Sequence, residues 1–132
     1  PISSQHQRKY GPDVFNRYYR MAQRRLRKYP ICELIRETSL EAVRDFEYGS
    51  LDFVYIDGSH AFDYVMTDII EWAKRVRKGG IVSGDDYKQL RYGDVITAVN
   101  TYVQAHNIDI LNIMEPDKDD SYPVPNWWFV KQ

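Results

Sequence analysis

The apolar and polar residues of this chain follow a helical period in four segments. In residues 12–28, 62–76 and 93–106, apolar side chains recur at steps of three and four residues, which places them along one side of a helix. A shorter helix is predicted over residues 39–46, with the hydroxyl of Ser39 as its N-cap. The pattern therefore predicts helices in all four segments.

Short apolar runs between these helices predict five strands, over residues 31–35, 51–56, 81–84, 108–114 and 126–131. The run at 51–56 is nearly continuous, as in strands buried on both faces of a parallel sheet. Residues 115–125 are acidic and contain three prolines, so the last two strands are connected without a helix and should form an antiparallel hairpin. The order of elements predicts an α/β fold with an open, mostly parallel sheet that ends in this hairpin.

Length and composition support one domain over residues 1–132, since 132 residues with 43% hydrophobic content can bury a core of ordinary size. Cys32 is the single cysteine, which excludes an internal disulfide and a zinc cluster of thiolates and fits a reducing compartment. No stretch approaches the ~18 apolar residues of a membrane span, and the first residues lack a signal-peptide core. A soluble, cytoplasmic protein is expected.

Basic residues are concentrated at the start of the chain, with eight Lys and Arg against one acid as far as Lys28 and ten against eighteen in the remainder. Such a segment can bind nucleic acid. Here the basic side chains at 17, 20, 24, 27 and 28 fall largely away from the apolar stripe and lack interleaved aromatics and glycines. A solvated helix face is the favoured interpretation, and a nucleic-acid partner is disfavoured.

Acidic residues follow two of the predicted strands directly. Asp57 comes after the strand at 51–56, and Asp85 and Asp86 come after the strand at 81–84. Ligands of open α/β sheets bind at the carboxyl ends of parallel strands, and three carboxylates meeting there would suit Mg²⁺. Alternatively, each acid caps a helix or orders a turn. His60 lies on the same loop as Asp57, where an imidazole could accept a proton from a substrate hydroxyl.

Three runs carry a resemblance to a known family. They are Leu-Asp-Phe-Val-Tyr-Ile-Asp-Gly-Ser-His at 51–60, Val-Arg-Lys-Gly-Gly-Ile-Val-Ser-Gly-Asp-Asp-Tyr at 76–87 and Gly-Asp-Val-Ile-Thr-Ala-Val at 93–99. Together they resemble the second half of class I S-adenosylmethionine-dependent methyltransferases, in the small-molecule O-methyltransferase branch that includes cephalosporin hydroxylase-like and catechol O-methyltransferase-like proteins. The resemblance covers about residues 12–132.

The resemblance implies a role for each candidate residue. Asp57, Asp85 and Asp86 would take the divalent-metal positions of the metal-dependent members, with Mg²⁺ as the expected ion. Asp57 and His60 would be catalytic, His60 as the base for the acceptor hydroxyl. Ser39 would touch the adenine of S-adenosylmethionine, and Gly58 is also assigned to cofactor binding. A small molecule would accept the methyl group. Tyr87, Tyr92, Trp127 and Trp128 are candidates for the acceptor side, with the alternative that they are core residues, as aromatics near a final strand more often are.

The chain departs from the family at its beginning. The glycine-rich turn after the first strand and the acid after the second are missing, and the one glycine before Gly49 is Gly11. This predicts a truncated domain that lacks the first two strands and, as a monomer, binds the cofactor weakly or not at all. It also leaves one edge of the strand at 51–56 without a neighbour, a pairing hazard. Either the strand at 31–35 lies beside that edge, or two copies associate there as a homo-oligomer.

Two functions of different classes follow. The first is a partial S-adenosylmethionine-dependent methyltransferase, which performs metal-assisted O-methylation of a small molecule as part of a full-length parent. The second is a non-catalytic interaction or oligomerisation module that has kept the α/β fold and lost cofactor binding. The acidic strand ends support the first, and the missing glycine-rich turn supports the second.

Overall fold

A computed structural model describes residues 4–89, 94–116 and 123–132, with side chains from residue 13 onward. The chain divides into two compact units, one that ends at Ala42 and one over Val43–Gln132. A single domain over residues 1–132 remains a prediction. No helix of the described segments combines the length and apolar character that crossing a membrane would require.

The N-terminal unit consists mainly of helix α1, Ser4–Leu26, which starts before the predicted residue 12. Its described arginines are exposed, in agreement with a solvated basic face, and its apolar stripe is mostly half-buried, with Tyr18 61% exposed. The segment after the helix contacts it through Arg36, which donates a hydrogen bond to Asn16 and lies 4.7 Å from the ring centre of Tyr19.

The predicted strand at residues 31–35 is wrong, because these residues form a turn and irregular backbone. Ile31 is 94% exposed, and Pro30 before it has no N–H to give to a sheet. A short apolar run becomes a strand only when a neighbouring strand accepts its backbone hydrogen bonds. The hypothesis that this segment lies as a strand beside residues 51–56 is therefore also wrong.

The short predicted helix forms as α2, Ser39–Ala42, followed by a 3₁₀ turn at Val43–Asp45. Its N-cap is Thr38 and not Ser39. The Thr38 Oγ1 accepts from the Glu41 N–H at 3.3 Å, and the Glu41 carboxylate accepts from the Thr38 N–H at 3.0 Å. This reciprocal pair is a capping box, and the glutamate three residues after the threonine is its sequence signal.

The second unit contains a four-stranded sheet. Its strands are β1, Leu51–Ile56; β2, Val76–Gly84; β3, Asn112–Met114; and β4, Asn126–Val130. They lie in the order β1-β2-β4-β3, where β1 and β2 are parallel and β4 is antiparallel to both of its neighbours. The predicted C-terminal hairpin and the single reversed strand are confirmed, and the sheet is an open Rossmann-like one.

Two predicted helices, α3 at Phe62–Arg75 and α4 at Val95–Ala105, cover one face of this sheet. Their apolar stripes meet the inward residues of the strands and exclude water from them, which is the main stabilising term of such a layer. The largest fully buried side chains are Trp127, Phe129, Ile69, Val76, Val82 and Val99. This core fixes the strands whose ends carry the acidic residues.

Strand β1 is not buried on both faces, contrary to the prediction. Val54 and Ile56 pack against the core, whereas Phe53 and Tyr55 on the other face are 54% and 47% exposed. Helices α3 and α4 lie on the same side of the sheet, and a continuous apolar run does not show on which side of a strand the helices pack. Within the described segments β1 pairs with β2 alone, and association of two copies along its outer edge remains a prediction.

Candidate functional site

The carboxyl ends of β1 and β2 lie side by side. Ile56 is the register partner of Gly84, and the N–H of Asp85 donates to the Ile56 carbonyl at 3.1 Å. A side chain at Gly84 would place its Cβ 2.6 Å from that carbonyl oxygen, so the two backbones approach closely because this position is glycine. The loops that begin at Asp57 and Asp85 therefore leave the sheet next to each other.

Three side chains from these loops converge. Asp57, His60 and Asp86 each offer a ligand atom, and these atoms all lie within 4.8 Å of one another. The closest pair is His60 Nε2 and Asp86 Oδ2, at 2.6 Å. Two carboxylates and an imidazole are a donor set that divalent metal ions accept, and Mg²⁺ as the particular ion remains a prediction.

The composition of this cluster differs from the three predicted metal ligands. The prediction was Asp57, Asp85 and Asp86, and the structure brings His60 to Asp57 and Asp86. Asp85 lies nearby, close enough for its charge to act on Asp57, but it is not one of the converging ligands. Adjacent residues at the end of a strand direct their side chains apart, and the sequence does not say which of two neighbouring acids turns inward.

Asp86 is the buried member of the cluster. Its side chain is 8% exposed, compared with 43% for His60, and its backbone has a φ of 59°. This left-handed conformation is uncommon for a residue other than glycine and costs roughly 1 kcal/mol or more. A buried carboxylate also needs a partner, which His60 provides. Buried charge and backbone strain at one residue of a strand-end loop are features of functional sites.

The acidic residues raise the pKa values of groups around them. Partial burial raises the pKa of Asp57, the carboxylates of Asp85 and Asp86 raise it further, and His60 opposes them. Burial followed by the same three carboxylates raises the pKa of Tyr55. Tyr55 therefore remains a neutral phenol at physiological pH and donates its hydrogen bond to Asn126, which excludes it as a base.

Asp57→Asn is expected to stabilise the chain by about 1–3 °C at pH 7 without metal, the small effect of an exposed charge. The pKa of Asp57 is higher in the folded state than in the unfolded state, so ionisation of Asp57 lowers the stability of the fold. This loss is present above the folded-state pKa and absent below the ordinary value of 3.8. The gain should vanish as the pH falls below 3.8, in thermal melts from pH 3 to 8. The control is Asp52→Asn, because Asp52 lies on β1, the strand before Asp57, and is paired with Arg77. An equal gain in stability from Asp52→Asn would contradict the expectation.

The two predicted cofactor residues lie in different units. Ser39 is the first residue of α2 in the N-terminal unit. Gly58 follows Asp57 and lines a small depression at the carboxyl ends of β1 and β2. Their roles in cofactor binding remain predictions.

The four acceptor-side aromatic residues do not form one group. Trp127 is a core residue, 1% exposed. Trp128, the next residue of the strand, is half-buried, and its side chain faces the opposite side of the sheet. Tyr87 donates to Asn100 at 2.8 Å. Tyr92 lies outside the described residues.

Two contributors to the site were missed by the sequence interpretation. Asn126 accepts from Tyr55, and the indole Nε1 of Trp127 donates to the Asp85 carbonyl at 3.2 Å. Both lie at the start of β4, about forty residues after Asp85. Among the residues of these contacts, only Tyr55 had a sequence signal, its position two residues before Asp57. Strand β4 reaches the site by pairing with β2, and spacing along the chain does not reveal that pairing.

The depression at the site is small. It is lined by Ile56, Asp57, Gly58, Ser59, His60, Val65, Asp85, Asp86, Val95 and Trp127. Its volume of about 10 Å³ is that of one water molecule or ion, far below the ~300 Å³ or more of a typical small-molecule pocket. The described residues therefore do not by themselves enclose a cofactor at this depression.

Solved structures share this fold. An O-methyltransferase from Bacillus cereus in complex with SAH superposes with a TM-score of 0.63 at 13% identity, over 87% of this chain and 59% of its own. A SAM-dependent O-methyltransferase from Thermotoga maritima gives 0.56 at 12% identity, over 88% and 46%. The open sheet of this chain is thus a fold that it shares with S-adenosylmethionine-dependent O-methyltransferases.

Sequence comparison identifies the family. A family model described as a methyltransferase domain matches residues 4–87, and the chain belongs to that family. An uncharacterized protein of Sinorhizobium fredii is 27% identical over 84 residues, which are 64% of this chain and 9% of that protein. An uncharacterized protein of Acanthamoeba polyphaga mimivirus is 39% identical over 56 residues, 42% and 25% of the two chains. The chain thus spans a quarter or less of these relatives and about half of the solved structures.

Proposed function

We propose that this chain supplies the metal and acceptor side of a methyltransferase that transfers a methyl group from S-adenosylmethionine to a hydroxyl of a small molecule. The observation that carries the proposal is the convergence of Asp57, His60 and Asp86 at the ends of adjacent strands. Family membership supplies the reaction class, and the cluster supplies the groups that O-methylation needs, a base and carboxylates for a cation.

His60 is the proposed base, and its contact with Asp86 defines which nitrogen acts. The neutral imidazole donates Nε2–H to Asp86 Oδ2, at 2.6 Å, so Nδ1 has the free lone pair that can accept the proton of the acceptor hydroxyl. Asp86 holds the ring in this tautomer and stabilises the imidazolium that results. With 43% of its side chain exposed, His60 remains accessible to an acceptor.

The carboxylates of Asp57 and Asp86 would hold the divalent cation, with Asp85 beside them. When bound, the cation would lower the pKa of a coordinated hydroxyl and neutralise the charge of its oxygen. Partial burial raises the pKa of Asp57, and repulsion from the carboxylates of Asp85 and Asp86 raises it further, a part that a bound cation would relieve. We propose Mg²⁺, because two or three carboxylates completed by water or substrate oxygens are its usual ligands.

S-adenosylmethionine would supply the methyl group in one displacement, so this chain needs no covalent nucleophile. The small depression and the share of the related structures that this chain covers support a pocket that is completed by further residues. Gly58 is the proposed contribution of the second unit to it, and a role of Ser39 in cofactor binding stays a separate prediction. The first two strands of the fold, absent from the sequence pattern, would provide the remainder in a longer protein.

A non-catalytic module is the second candidate, and the small depression favours it. Calorimetric titration of S-adenosylmethionine into the 132-residue chain, with and without Mg²⁺, separates the two. Micromolar binding would support the enzyme and show that the pocket is completed in this chain or between copies. No heat from a sample that unfolds cooperatively, together with no Mg²⁺ binding, would favour the module.

His60→Gln is expected to reduce methyl transfer by about 100-fold or more in a cofactor-binding form of the protein, because loss of a general base costs 10²–10⁴-fold. The assay follows the radiolabelled methyl group of S-adenosylmethionine into a panel of phenols, catechols and sugars. His106→Gln is the matched control, since His106 is an exposed histidine that packs on Tyr102 after α4. Equal activity of His60→Gln and the wild type would exclude His60 as the base.

A further inference from the structure

The strained backbone of Asp86 requires something that holds it. A φ of 59° at a residue other than glycine persists only where the surrounding structure over-determines it, and here it directs a buried carboxylate to His60. The N–H of Asp85 donates to the Ile56 carbonyl at 3.1 Å, and the N–H of Tyr87 donates to the Pro125 carbonyl at 2.9 Å. These two hydrogen bonds hold the backbone on both sides of the turn. They do not involve the carbonyl of Asp85 or the N–H of Asp86, which form the peptide between the two residues.

Trp127 contacts that peptide. Its indole N–H donates to the Asp85 carbonyl at 3.2 Å, and this carbonyl belongs to the same planar peptide unit as the N–H of Asp86. The orientation of the unit helps to set the φ at which the Asp86 side chain leaves the backbone. A hydrogen bond from a fixed donor to this one carbonyl therefore acts on the direction of the Asp86 carboxylate.

The indole is itself held rigidly. Trp127 is 1% exposed, and its ring lies 6.0 Å from that of Phe129 in a stacked arrangement. On another side the ring is so close to Gly84 that a Cβ there would be 2.6 Å from it. Close-packed surroundings of this kind permit little movement, so the donor position is set by the core and not by solvent.

We propose that Trp127 is a positioning residue, which holds the carbonyl of Asp85 through its indole N–H and thereby directs the carboxylate of Asp86 to His60. The role rests on the proposed function, in which the pair of His60 and Asp86 sets the tautomer of the base. It extends the functional unit to β4, beyond the residues 4–87 that match the family model.

Trp127→Phe tests the proposal, because phenylalanine keeps an aromatic ring in the core and removes the N–H. The readout is the ring of His60 in long-range ¹⁵N–¹H spectra at pH 8, where the wild type should show the Nε2–H tautomer. We expect the variant to show a mixture of both tautomers, and Mn²⁺ affinity measured by calorimetry to fall about 10-fold, the lower end for loss of an outer-shell contact. Ile69→Val is the control, because Ile69 on α3 is fully buried in the same core and its aliphatic side chain neither stacks on the indole nor hydrogen-bonds the turn. This variant should keep the wild-type tautomer.

A wild-type tautomer in Trp127→Phe would overturn the proposal, and so would an equal change in Ile69→Val, which would make the tautomer a reporter of core packing alone. If Trp127→Phe does not fold, Trp127→Tyr fills more of the space and still lacks the indole N–H. If neither folds, the wild type decides, because a Trp127 indole N–H that exchanges rapidly with solvent deuterium would exclude the hydrogen bond. These readouts need no methyl transfer, so they remain decisive even if the enzymatic function fails its own test.

Discussion

Asp86→Asn is expected to weaken the binding of Mn²⁺, used as a probe for the proposed Mg²⁺ site, by about 100-fold or more. Asp86 is the buried carboxylate of the cluster, 8% exposed, and asparagine offers a neutral carbonyl in place of its charge. Loss of an outer-shell contact alone costs about 10–100-fold in metal affinity, and Asp86 is proposed as a direct ligand. Asparagine also tolerates a left-handed backbone, so the fold should survive the change. Isothermal titration at pH 7.5 measures the affinity.

The matched control for Asp86→Asn is Asp52→Asn. Asp52 lies at the other end of the strand that leads to the site, with 82% of its side chain exposed in an ion pair with Arg77, and its loss removes the same charge from the chain. Metal affinity should change less than 2-fold, as expected for a screened surface charge. Equal losses in both variants would mean that the cation responds to the overall negative charge and not to a built site.

The location of the site was predictable because it depends on local signals. Asp57 and Asp86 directly follow apolar runs, and parallel strands deliver their carboxyl ends to one edge of a sheet. The helical stripe that became α3 indicated that these two strands are parallel, because it provides the crossover between them. The fold class and the site edge therefore followed from periods of two and 3.6 residues and from the residues at which they stop.

The composition of the site was less predictable because it depends on backbone conformation. Whether Asp85 or Asp86 turns inward is decided by one left-handed residue. Aspartate can adopt that conformation, but two aspartates in a row do not show which of them does. Contributions from β4 were also hidden, since its pairing with β2 joins residues about forty-five positions apart. The failed strand at 31–35 has the same origin, since its apolar residues matched a strand but pair with no strand among the residues that the structure describes.

The two carboxylates of the cluster occupy contrasting environments, which suits different tasks. Asp86 is buried, strained and paired with His60, so its position is fixed before any ligand arrives. Asp57 is exposed, and its pKa is raised by partial burial and then by the charges of Asp85 and Asp86, of which a cation would relieve the second part. A preformed anchor beside a site of unrelieved negative charge favours a cation over an anion at this edge of the sheet. Both depend on the close approach of β1 and β2 at Gly84.

Gly84→Ala is expected to lower the free energy of unfolding by about 3 kcal/mol, the upper part of the range for overpacking a buried position. The added Cβ would lie 2.6 Å from the Ile56 carbonyl oxygen and 2.6 Å from the Trp127 ring. Neither can withdraw freely, because the carbonyl accepts from the Asp85 N–H and the ring is packed in the core. The strands should separate at their carboxyl ends, so Mn²⁺ affinity should fall together with stability. Urea denaturation and calorimetry measure the two effects.

Gly58→Ala is the control for Gly84→Ala, because it adds the same methyl group to the neighbouring loop. Its Cβ would have the Asp68 Oδ2 as its nearest contact, at 3.4 Å, and its backbone is not left-handed, so stability should change by less than about 0.5 kcal/mol. A Gly84→Ala variant as stable as Gly58→Ala would contradict the close approach of β1, β2 and Trp127. If Gly84→Ala lost stability but kept its metal affinity, the cluster would tolerate separation of β1 and β2. The turn at Asp86 would then not depend on the close approach at Gly84.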